Sequence, residues 1–364
     1  MKACGIIVEY NPFHNGHIHH IEEARKLSGC DVLIAVMSGN YTQRGELSII
    51  DKFEKTKTAL EHGVDLVIEL PYAVTPQNAY VFGYHAVSLL KKAGISSLCF
   101  GSETNNLEEL KEFASLHVDV TRLKELLRDG TSYPAAYGLL AGALYPNDIL
   151  AVTYLKALEG TDIVPISIKR TNDYHSEEMG AFASASAIRK AVKEGRDISM
   201  ATPIAISHPV FLEDLWPTIR RLLITMDVKD LAKIFLMDEG IENLLKKNAE
   251  TCTSFEKFMD YSISRRYTAS RIRRILCHLL NQVTREEVAS LEEPDYLRIL
   301  GFNEKGRAWL RELKKKDDVS IITQFKNLPE NARKCAWKSD LMYYSLYDDP
   351  EEYQKKELKG PLIV

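Results

Sequence analysis

Two histidines near the start of the chain have the spacing of a phosphate-binding turn. His14 and His17 flank Gly16 shortly after an apolar run over residues 3–8. That run predicts a short buried strand, and the helical spacing of apolar residues over 18–27 predicts a helix behind the turn. Imidazoles can offer a triphosphate hydrogen bonds or positive charge, and a helix N-terminus adds free N–H groups. Because glycine has no Cβ, the backbone can approach a phosphate closely at this point.

A metal site or a solvated turn is the alternative for this segment, since His19 and His20 make it rich in histidine. No cysteine or carboxylate stands beside it at zinc-like spacing, so nucleotide binding is favoured and no metal ligand is predicted. The pattern His-x-Gly-His resembles the signature of the nucleotidyltransferase superfamily. In that superfamily the histidines steady the phosphates while the α-phosphorus is attacked.

Composition and charge are those of an ordinary globular chain. The 364 residues are 45% hydrophobic and 27% charged, which suggests two or three domains. A net charge of −4 means that any nucleic-acid contact must come from a local basic patch. Six scattered cysteines without a Cys-x-x-Cys pair are typical of reduced thiols. With neither a signal-peptide pattern nor a run of about 20 apolar residues, the sequence predicts a cytoplasmic protein with no membrane span.

The first half of the chain predicts a parallel sheet covered by helices on both faces. The predicted strands cover residues 1–9, 31–37, 64–70, 97–100 and 163–169. Polar residues follow several of these strands. They are His14 and the segments 38–45, 69–71 and 101–103. Since ligands bind at the carboxyl ends of parallel strands, we expect these residues to meet in one crevice.

A second segment, residues 183–189, could begin a helix at the phosphates. Ser184 or Ser186 could cap that helix, and Arg189 follows within the first turn or two. The segment resembles the second signature of the nucleotidyltransferase superfamily, in which amides, hydroxyls and an arginine hold the β- and γ-phosphates. Ser186 stands where many members have threonine. A plain capped surface helix is the alternative, but the order of the two motifs favours phosphate binding.

Further segments resemble one family, the bacterial tRNA(Met) cytidine acetate ligases. They cover residues 9–17, 37–46, 51–52, 63–71, 99–103, 146–150, 168–170 and 174–175. Together they span most of residues 1–190, whereas the C-terminal half matches only in general character. The resemblance implies a Rossmann-like nucleotidyltransferase head and a reaction in two steps. Acetate and ATP give acetyl-adenylate and pyrophosphate, and the acetyl group then passes to the exocyclic amine of the wobble cytidine in elongator tRNA(Met).

The resemblance also implies which residues form the active site. His14, His17 and Arg189 are expected to be catalytic, because they can stabilise charge on the phosphate chain. The expected ATP-binding residues are Ile7, Val8, Glu9, Tyr10, Asn11, Pro12, Phe13, His14, Asn15, Gly16, His17, Ile18, His19, His20, Gly101, Asn147, Arg170, Ser184, Ser186 and Arg189. Mg²⁺ is expected to be bound through the ATP phosphates, with few protein ligands.

The segment 38–46 is interpreted as a loop over this site. Arg44 is expected to contact phosphate or RNA, and Ser38 and Asn40 are expected to line the acetate or base pocket. A solvent loop with an internal pair between Arg44 and Glu46 is the alternative.

Two other residues are open to two interpretations each, and one further segment contains candidate residues. Lys52 is expected to open a helix, although a substrate role is possible. Glu69 either orients a histidine or a base amine, or is a buried acid with a structural partner. Residues 173–175 (Asp173, Tyr174 and His175) are candidates for a position near the substrate.

The second half of the chain changes to helical spacing at about residue 200. We therefore predict a nucleotidyltransferase-like domain over 1–200 and an α-helical tRNA-binding region over 201–364. Residues 263–284 contain no acid and form an arginine cluster, namely Arg265, Arg266, Arg271, Arg273 and Arg274. Such a stripe suits contacts with a phosphate backbone, with a solvated helix face as the alternative.

The predicted partners are elongator tRNA(Met) and acetate, with no obligate protein partner evident. A small-molecule adenylyl- or cytidylyltransferase of cofactor metabolism is the alternative enzyme, although that class usually needs only the head. An RNA-binding protein with an inactive nucleotide fold is the non-enzymatic alternative. Retention of both histidines, both serines and Arg189 argues against it.

Overall fold

The structure is a computed structural model that describes residues 1–116, 118–142, 144–170, 180–291, 293–316 and 319–364. The candidates Asp173, Tyr174 and His175 lie outside the described residues. Among those described, no helix combines the length and apolar character needed to cross a bilayer.

Five parallel strands form the centre of the molecule. They are β1 (Ala3–Val8), β2 (Val32–Ser38), β3 (Leu66–Leu70), β4 (Ser97–Ser102) and β5 (Val164–Lys169). Their order in the sheet is β5-β4-β1-β2-β3. The chain therefore reverses its direction of travel across the sheet between β1 and β4, and such a switch point opens a crevice at the carboxyl ends of the strands. The predicted parallel α/β head is confirmed, with strand ends shifted by at most two residues.

Eight helices accompany these strands in the described part of the head. They are α1 (Asn15–Ser28), α2 (Lys52–Glu61), α3 (Ala79–Lys92), α4 (Leu107–Ser115), α5 (Val120–Arg128), α6 (Tyr133–Ala141), α7 (Pro146–Leu158) and α8 (Ala185–Lys193). A 3₁₀ turn, Tyr72–Val74, follows β3. Ile21 of α1 and Phe53 of α2 are buried on one face of the sheet. Phe82 of α3 and Tyr154 of α7 are buried on the other, as a doubly covered sheet requires.

The C-terminal half is mainly helical, as predicted. Its helices are α9 (Trp216–Thr225), α10 (Val228–Leu231), α11 (Ile241–Thr251), α12 (Phe255–Ser262), α13 (Ala269–Leu280), α14 (Arg285–Ala289), α15 (Glu304–Leu313), α16 (Glu330–Tyr344) and α17 (Pro350–Lys359). A 3₁₀ turn, Leu212–Leu215, directly precedes α9, and two more, Lys314–Lys316 and Phe325–Asn327, lie between α15 and α16.

The C-terminal half, which was expected to be α-helical, also contains three strands in its described part. They are β6 (Tyr296–Phe302), β7 (Ser320–Ile322) and β8 (Leu362–Ile363). Strand β6 pairs antiparallel with β3 and extends the sheet of the head, and β7 and β8 both pair with β6. Every residue of β6 is buried, including Arg298 in its middle.

The hydrophobic core also crosses residue 200. Trp216 and Ile275 share a buried cluster with Ile6 and Phe53, and Trp309 shares the cluster on the opposite face with Phe82. The division into domains at residue 200 stays a prediction, while the sheet and both core clusters contain residues from both sides of it.

Candidate active site

A cleft lies at the carboxyl ends of β1, β4 and β5, at the switch point of the sheet. Its volume is about 260 Å³. Most residues expected to bind ATP line it, and these are Ile7, Val8, Glu9, Tyr10, Asn11, His14, Gly16, His17, His19, His20, Gly101, Asn147, Arg170, Ser184, Ser186 and Arg189. Pro12, Phe13, Asn15 and Ile18 are not part of this lining. His14, Gly101 and residues 42–44 meet in this cleft as the strand ends predict. Residues 69–71 do not, because they line a different cavity together with Asn40.

The histidine motif folds into the cap of helix α1. His14 is the N-cap, and its Nδ1 accepts a hydrogen bond from the backbone N–H of Gly16 at 3.1 Å. The Nδ1 of His17 accepts from the backbone N–H of His14, also at 3.1 Å. The two rings stack with centroids 3.7 Å apart. Because both Nδ1 atoms accept, a neutral imidazole at either position carries its proton on Nε2 and can donate from there.

Both imidazoles are neutral at physiological pH. Burial, together with the positive charges of Arg170 and Arg189, lowers the pKa of His14 to about 3. Burial and the neighbouring His14, His20 and Arg170 hold the pKa of His17 well below its ordinary value. The sequence left open whether these side chains offer hydrogen bonds or charge, and the structure supports hydrogen bonds.

The second motif begins helix α8 as expected. Ser184 is the N-cap, and its Oγ accepts from the backbone N–H of Ala187 at 3.2 Å and lies 3.0 Å from Oγ of Ser186. Asn15 ties this segment to the histidine motif, since its Nδ2 donates to the carbonyls of Ala181 and Met200 at 2.8 Å each. Asn15 therefore connects the two motifs through hydrogen bonds outside the cleft.

Arg189 lies between the histidine turn and the loop over the site. Its Nη1 donates to the carbonyl of Asn11 at 2.7 Å, and its Nη2 lies 3.1 Å from Oε2 of Glu46. Glu46 thus pairs with Arg189, whereas the alternative interpretation paired it with Arg44. Phosphate binding by Arg189 stays a prediction, because in this structure the guanidinium is held by a carbonyl and a carboxylate.

Three other expected ATP-binding residues form the opposite wall. The Nε of Arg170 is buried and has no hydrogen-bond partner among the described residues. The backbone N and Nδ2 of Asn147 donate to the carboxylate of Glu103 at 3.1 and 2.5 Å. A Cβ built at Gly101 would meet the side chain of Arg170 at 3.5 Å. An anion that enters the cleft could therefore satisfy the orphaned Arg170 nitrogen.

The loop over the site divides into two parts. Thr42, Gln43, Arg44 and Glu46 line the cleft, in agreement with the interpretation of this segment. Asn40 does not, because its Nδ2 donates to Asp340 at 2.9 Å in a buried cluster behind the loop. A substrate contact by Asn40 therefore stays a prediction without support from this geometry.

That buried group, which we call the Lys52 cluster, contains Lys52, Glu69, Arg298, Asp340 and Glu357. Lys52 is the first residue of α2, as expected, and its Nζ lies 2.9 Å from Glu69, 2.7 Å from Asp340 and 3.0 Å from Glu357. Arg298 pairs with Glu69 at 2.5 Å and with Glu357. Glu69 is thus a buried acid with structural partners. Burial, opposed by Lys52, raises the pKa of Asp340 to about 7.

An apolar wall of the cleft was not predicted. It consists of Phe82, Phe100, Leu150, Tyr154 and Ile168. These residues belong to helices and strands whose apolar spacing indicates only a core, so no local signal marks them as lining a cleft.

The members of the arginine cluster differ in exposure and in their partners. Arg265 is exposed and donates to Thr131 at 2.8 Å, and the half-buried Arg266 donates to the carbonyl of Arg128. Arg271 pairs with Asp238 and Glu239. Burial lowers the pKa of Arg274 to about 10. The last member, Arg273, lines a second cavity of about 510 Å³, which also contains Arg189 and Glu46.

Comparison with known proteins agrees with this geometry. The profile of the family described as HIGH Nucleotidyl Transferase matches residues 1–359. A tRNA(Met) cytidine acetate ligase of Oceanobacillus iheyensis is 38% identical, with both chains covered completely. One of Caldanaerobacter subterraneus is 40% identical over 95% of each chain. Crystal structures of Thermotoga maritima TmcAL superpose with TM-scores of 0.90 (apo) and 0.86 (bound with alpha-thio ATP), each at 31% identity over the whole of both chains.

A strand, a histidine-capped helix and a second capped helix that meet at the switch point of a parallel sheet define a HIGH nucleotidyltransferase. Within that class, the full-length relatives show that the chain belongs to the tRNA(Met) cytidine acetate ligase family.

Proposed function

We propose that this protein is an ATP-dependent ligase that forms acetyl-adenylate from acetate and ATP. It then transfers the acetyl group to the exocyclic amine of the wobble cytidine of elongator tRNA(Met), which gives N4-acetylcytidine. The observation that carries the proposal is the pairing of the two motifs around one cleft, with His14 and His17 at one helix start and Ser184 at the other. The naming of full-length relatives as tRNA(Met) cytidine acetate ligases supports the choice of substrates.

ATP is proposed to lie with its phosphates between the two helix starts. The Nε2 donors of His14 and His17 are proposed to stabilise the charge that builds when acetate attacks the α-phosphorus and pyrophosphate leaves. The start of α8 and Arg189 are proposed to hold the pyrophosphate, which requires Arg189 to exchange Glu46 for phosphate oxygens. The Thermotoga maritima structure bound with alpha-thio ATP supports a nucleotide ligand for this fold.

Mg²⁺ is proposed to enter with ATP, bound to phosphate oxygens, which are ligands that it prefers. Its chemistry there would be to neutralise phosphate charge. Over the described ranges, no three His, Cys, Asp or Glu side chains are gathered to hold a metal ion.

Acetate is proposed to bind near Arg170, whose buried Nε lacks a partner among the described residues. A guanidinium can bind a carboxylate in bidentate fashion and direct one oxygen at the α-phosphorus. The tRNA is proposed to lie along Arg265 and Arg266, whose guanidinium groups have no carboxylate partner in the ion pairs that the described residues form. The reaction is proposed to take place in the cytoplasm, where its tRNA substrate is found.

The direct test incubates the protein with ATP, Mg²⁺, acetate and unmodified total tRNA, and omits each component in turn. Acetylated cytidine that requires both ATP and acetate, and that maps to tRNA(Met), is the expected result. If ATP is cleaved only with a small metabolite and nothing is transferred to RNA, the small-molecule transferase replaces this proposal. A protein with both histidines changed to alanine that kept full activity would contradict the roles of His14 and His17.

A further inference from the structure

A carboxylate stands in this cleft among histidines and arginines. Glu9 follows β1 and lines the cleft, where it is half-buried. Its Oε1 accepts from the backbone N–H of Gln43 at 2.6 Å and from Oγ of Ser38 at 3.3 Å. A carboxylate repels phosphates. If ATP binds in this cleft, the Glu9 carboxylate therefore needs a hydrogen-bond donor or a positive charge as its partner. The side chain is also held in place by two separate donors rather than left mobile.

Lys55 is buried nearby, but its hydrogen bonds do not reach the Glu9 carboxylate. The Nζ of Lys55 donates to three backbone carbonyls, those of Glu9 at 2.9 Å, Ser38 at 2.9 Å and Gly39 at 2.6 Å. Lys55 therefore clamps the ends of β1 and β2 together from beneath. The backbone of Glu9 is thus held in place, and its carboxylate points to the loop over the site, where Gln43 donates to it.

We propose that Glu9 binds the N4 amine of the acceptor cytidine and takes its proton during acetyl transfer. This inference rests on the function proposed above and assigns a residue to its second step. An amine offers the N–H donors that a carboxylate accepts, and the lone pair of an exocyclic cytosine amine is delocalised into the ring. Loss of a proton as the new bond forms therefore assists attack.

The proposed step is balanced without any further reactant. The N4 nitrogen forms a bond with the acetyl carbonyl carbon, and the bond between that carbon and the phosphate oxygen breaks. AMP leaves with the electron pair of the broken bond. One N4 proton passes to Glu9, which later releases it to AMP or water.

The electrostatic surroundings suit this role. Burial raises the pKa of the Glu9 carboxyl, and Glu46 adds to that effect. The N–H of Gln43 and the charges of Arg44 and Lys55 oppose it. Burial raises the pKa of Tyr154, which lines the same cleft as a neutral phenol. A carboxylate with a raised pKa is a better proton acceptor than an exposed glutamate.

The test measures the two steps of the reaction, adenylate formation and acetyl transfer, separately in a Glu9→Gln protein. Acetate-dependent exchange of pyrophosphate into ATP reports the first step. Single-turnover transfer from chemically synthesised acetyl-adenylate to tRNA(Met) reports the second. Glu9→Gln is expected to lower the ratio of transfer to exchange by about 100-fold or more, in the range of a lost general base. The fall in transfer rate at low pH, when Glu9 takes a proton, is expected to disappear in the variant.

A matched variant tests the positioning of the carboxylate. Ser38→Ala removes one of the two donors to Oε1 and is expected to lower the same ratio about fivefold, the effect of one hydrogen bond. Equal loss of exchange and transfer in Glu9→Gln, or a raised Mg²⁺ requirement for exchange, would overturn the inference and assign Glu9 to the first step. Unchanged transfer would also overturn it. Absence of acetate-dependent exchange in the unmodified protein would instead contradict the proposed function, and the inference with it.

Discussion

Gly45 packs directly on the backbone of Arg274. A Cβ built at Gly45 would lie 2.3 Å from the amide nitrogen of Arg274, and the φ of Gly45 is +77°. The Sγ of Cys277, one turn along α13, lies 3.2 Å from the carbonyl of Gly45. The helix that carries most of the arginine cluster is therefore seated on the loop that lines the cleft. A change at this single glycine should disturb RNA binding and the active site together.

Gly45→Ala is expected to lower the free energy of unfolding by about 2–4 kcal/mol, because it adds a clash to an unfavourable φ. Transfer to tRNA should fall more than acetate-dependent exchange, since α13 must move away. Gly160→Ala is the matched control, with a φ of +73° and nothing within 4 Å of its added Cβ. That variant should cost only about 1 kcal/mol. Urea unfolding measures both, and equal costs would contradict the tight contact between Gly45 and Arg274.

The histidine motif should be neutral with the proton on Nε2. Since the pKa of His14 is about 3 and that of His17 is also far below its ordinary value, neither ring should titrate between pH 8 and pH 5. Long-range ¹⁵N–¹H spectra of the histidine rings report both the tautomer and the titration. A protonated His14 or His17 at pH 6, or a proton on Nδ1, would contradict the capping geometry.

Arg265 and Arg266 should carry RNA affinity that Arg271 does not. The double variant Arg265→Ala/Arg266→Ala is expected to weaken tRNA binding. The slope of log affinity against log salt concentration should become shallower by about one for each phosphate that the variant no longer neutralises. Arg271→Ala is the control, because its guanidinium is already paired with Asp238 and Glu239. Binding titrations at several salt concentrations make the measurement. An equal effect of both variants would show that the carboxylate pairs do not restrain Arg271.

Lys52 should be essential to stability rather than to chemistry. It is fully buried against three carboxylates, and Lys52→Met would leave these without their central cation. The expected loss is about 3–5 kcal/mol in the free energy of unfolding. Lys57→Met on the same helix is the control, since Lys57 is exposed and its Nζ lies 3.9 Å from Glu61. That change should cost less than about 1 kcal/mol. Similar losses for both in urea unfolding would contradict the structural role of the Lys52 cluster.

Local motifs were the part of the site that the sequence could predict. The cap formed by His14 and His17 closes within four residues, and Ser184 caps α8 three residues before its partner Ala187. Interactions of this kind depend on neighbouring residues alone, so their spacing is visible in the chain. Strands β1 to β4 were predictable for a related reason, because each is a nearly continuous buried run.

Contacts across long stretches of chain were not predictable. Asn40 was expected in the substrate pocket, yet its side chain bonds to Asp340, 300 positions away. Strand β6 was missed because Arg298 interrupts its apolar run, and that arginine is buried only because Glu69 and Glu357 accompany it. Nothing in either segment alone reveals such partners.

The antiparallel pairing of β6 with β3 has a consequence for synthesis of the protein on the ribosome. Residues 66–70 emerge early, but their neighbour at 296–302 follows more than two hundred residues later, and β8 closes the arrangement only at Leu362–Ile363. Until β6 is available, β3 presents an unpaired edge with apolar faces, which is open to pairing with another chain. A nascent or shortened polypeptide that stops near residue 200 should therefore need a chaperone to remain unaggregated.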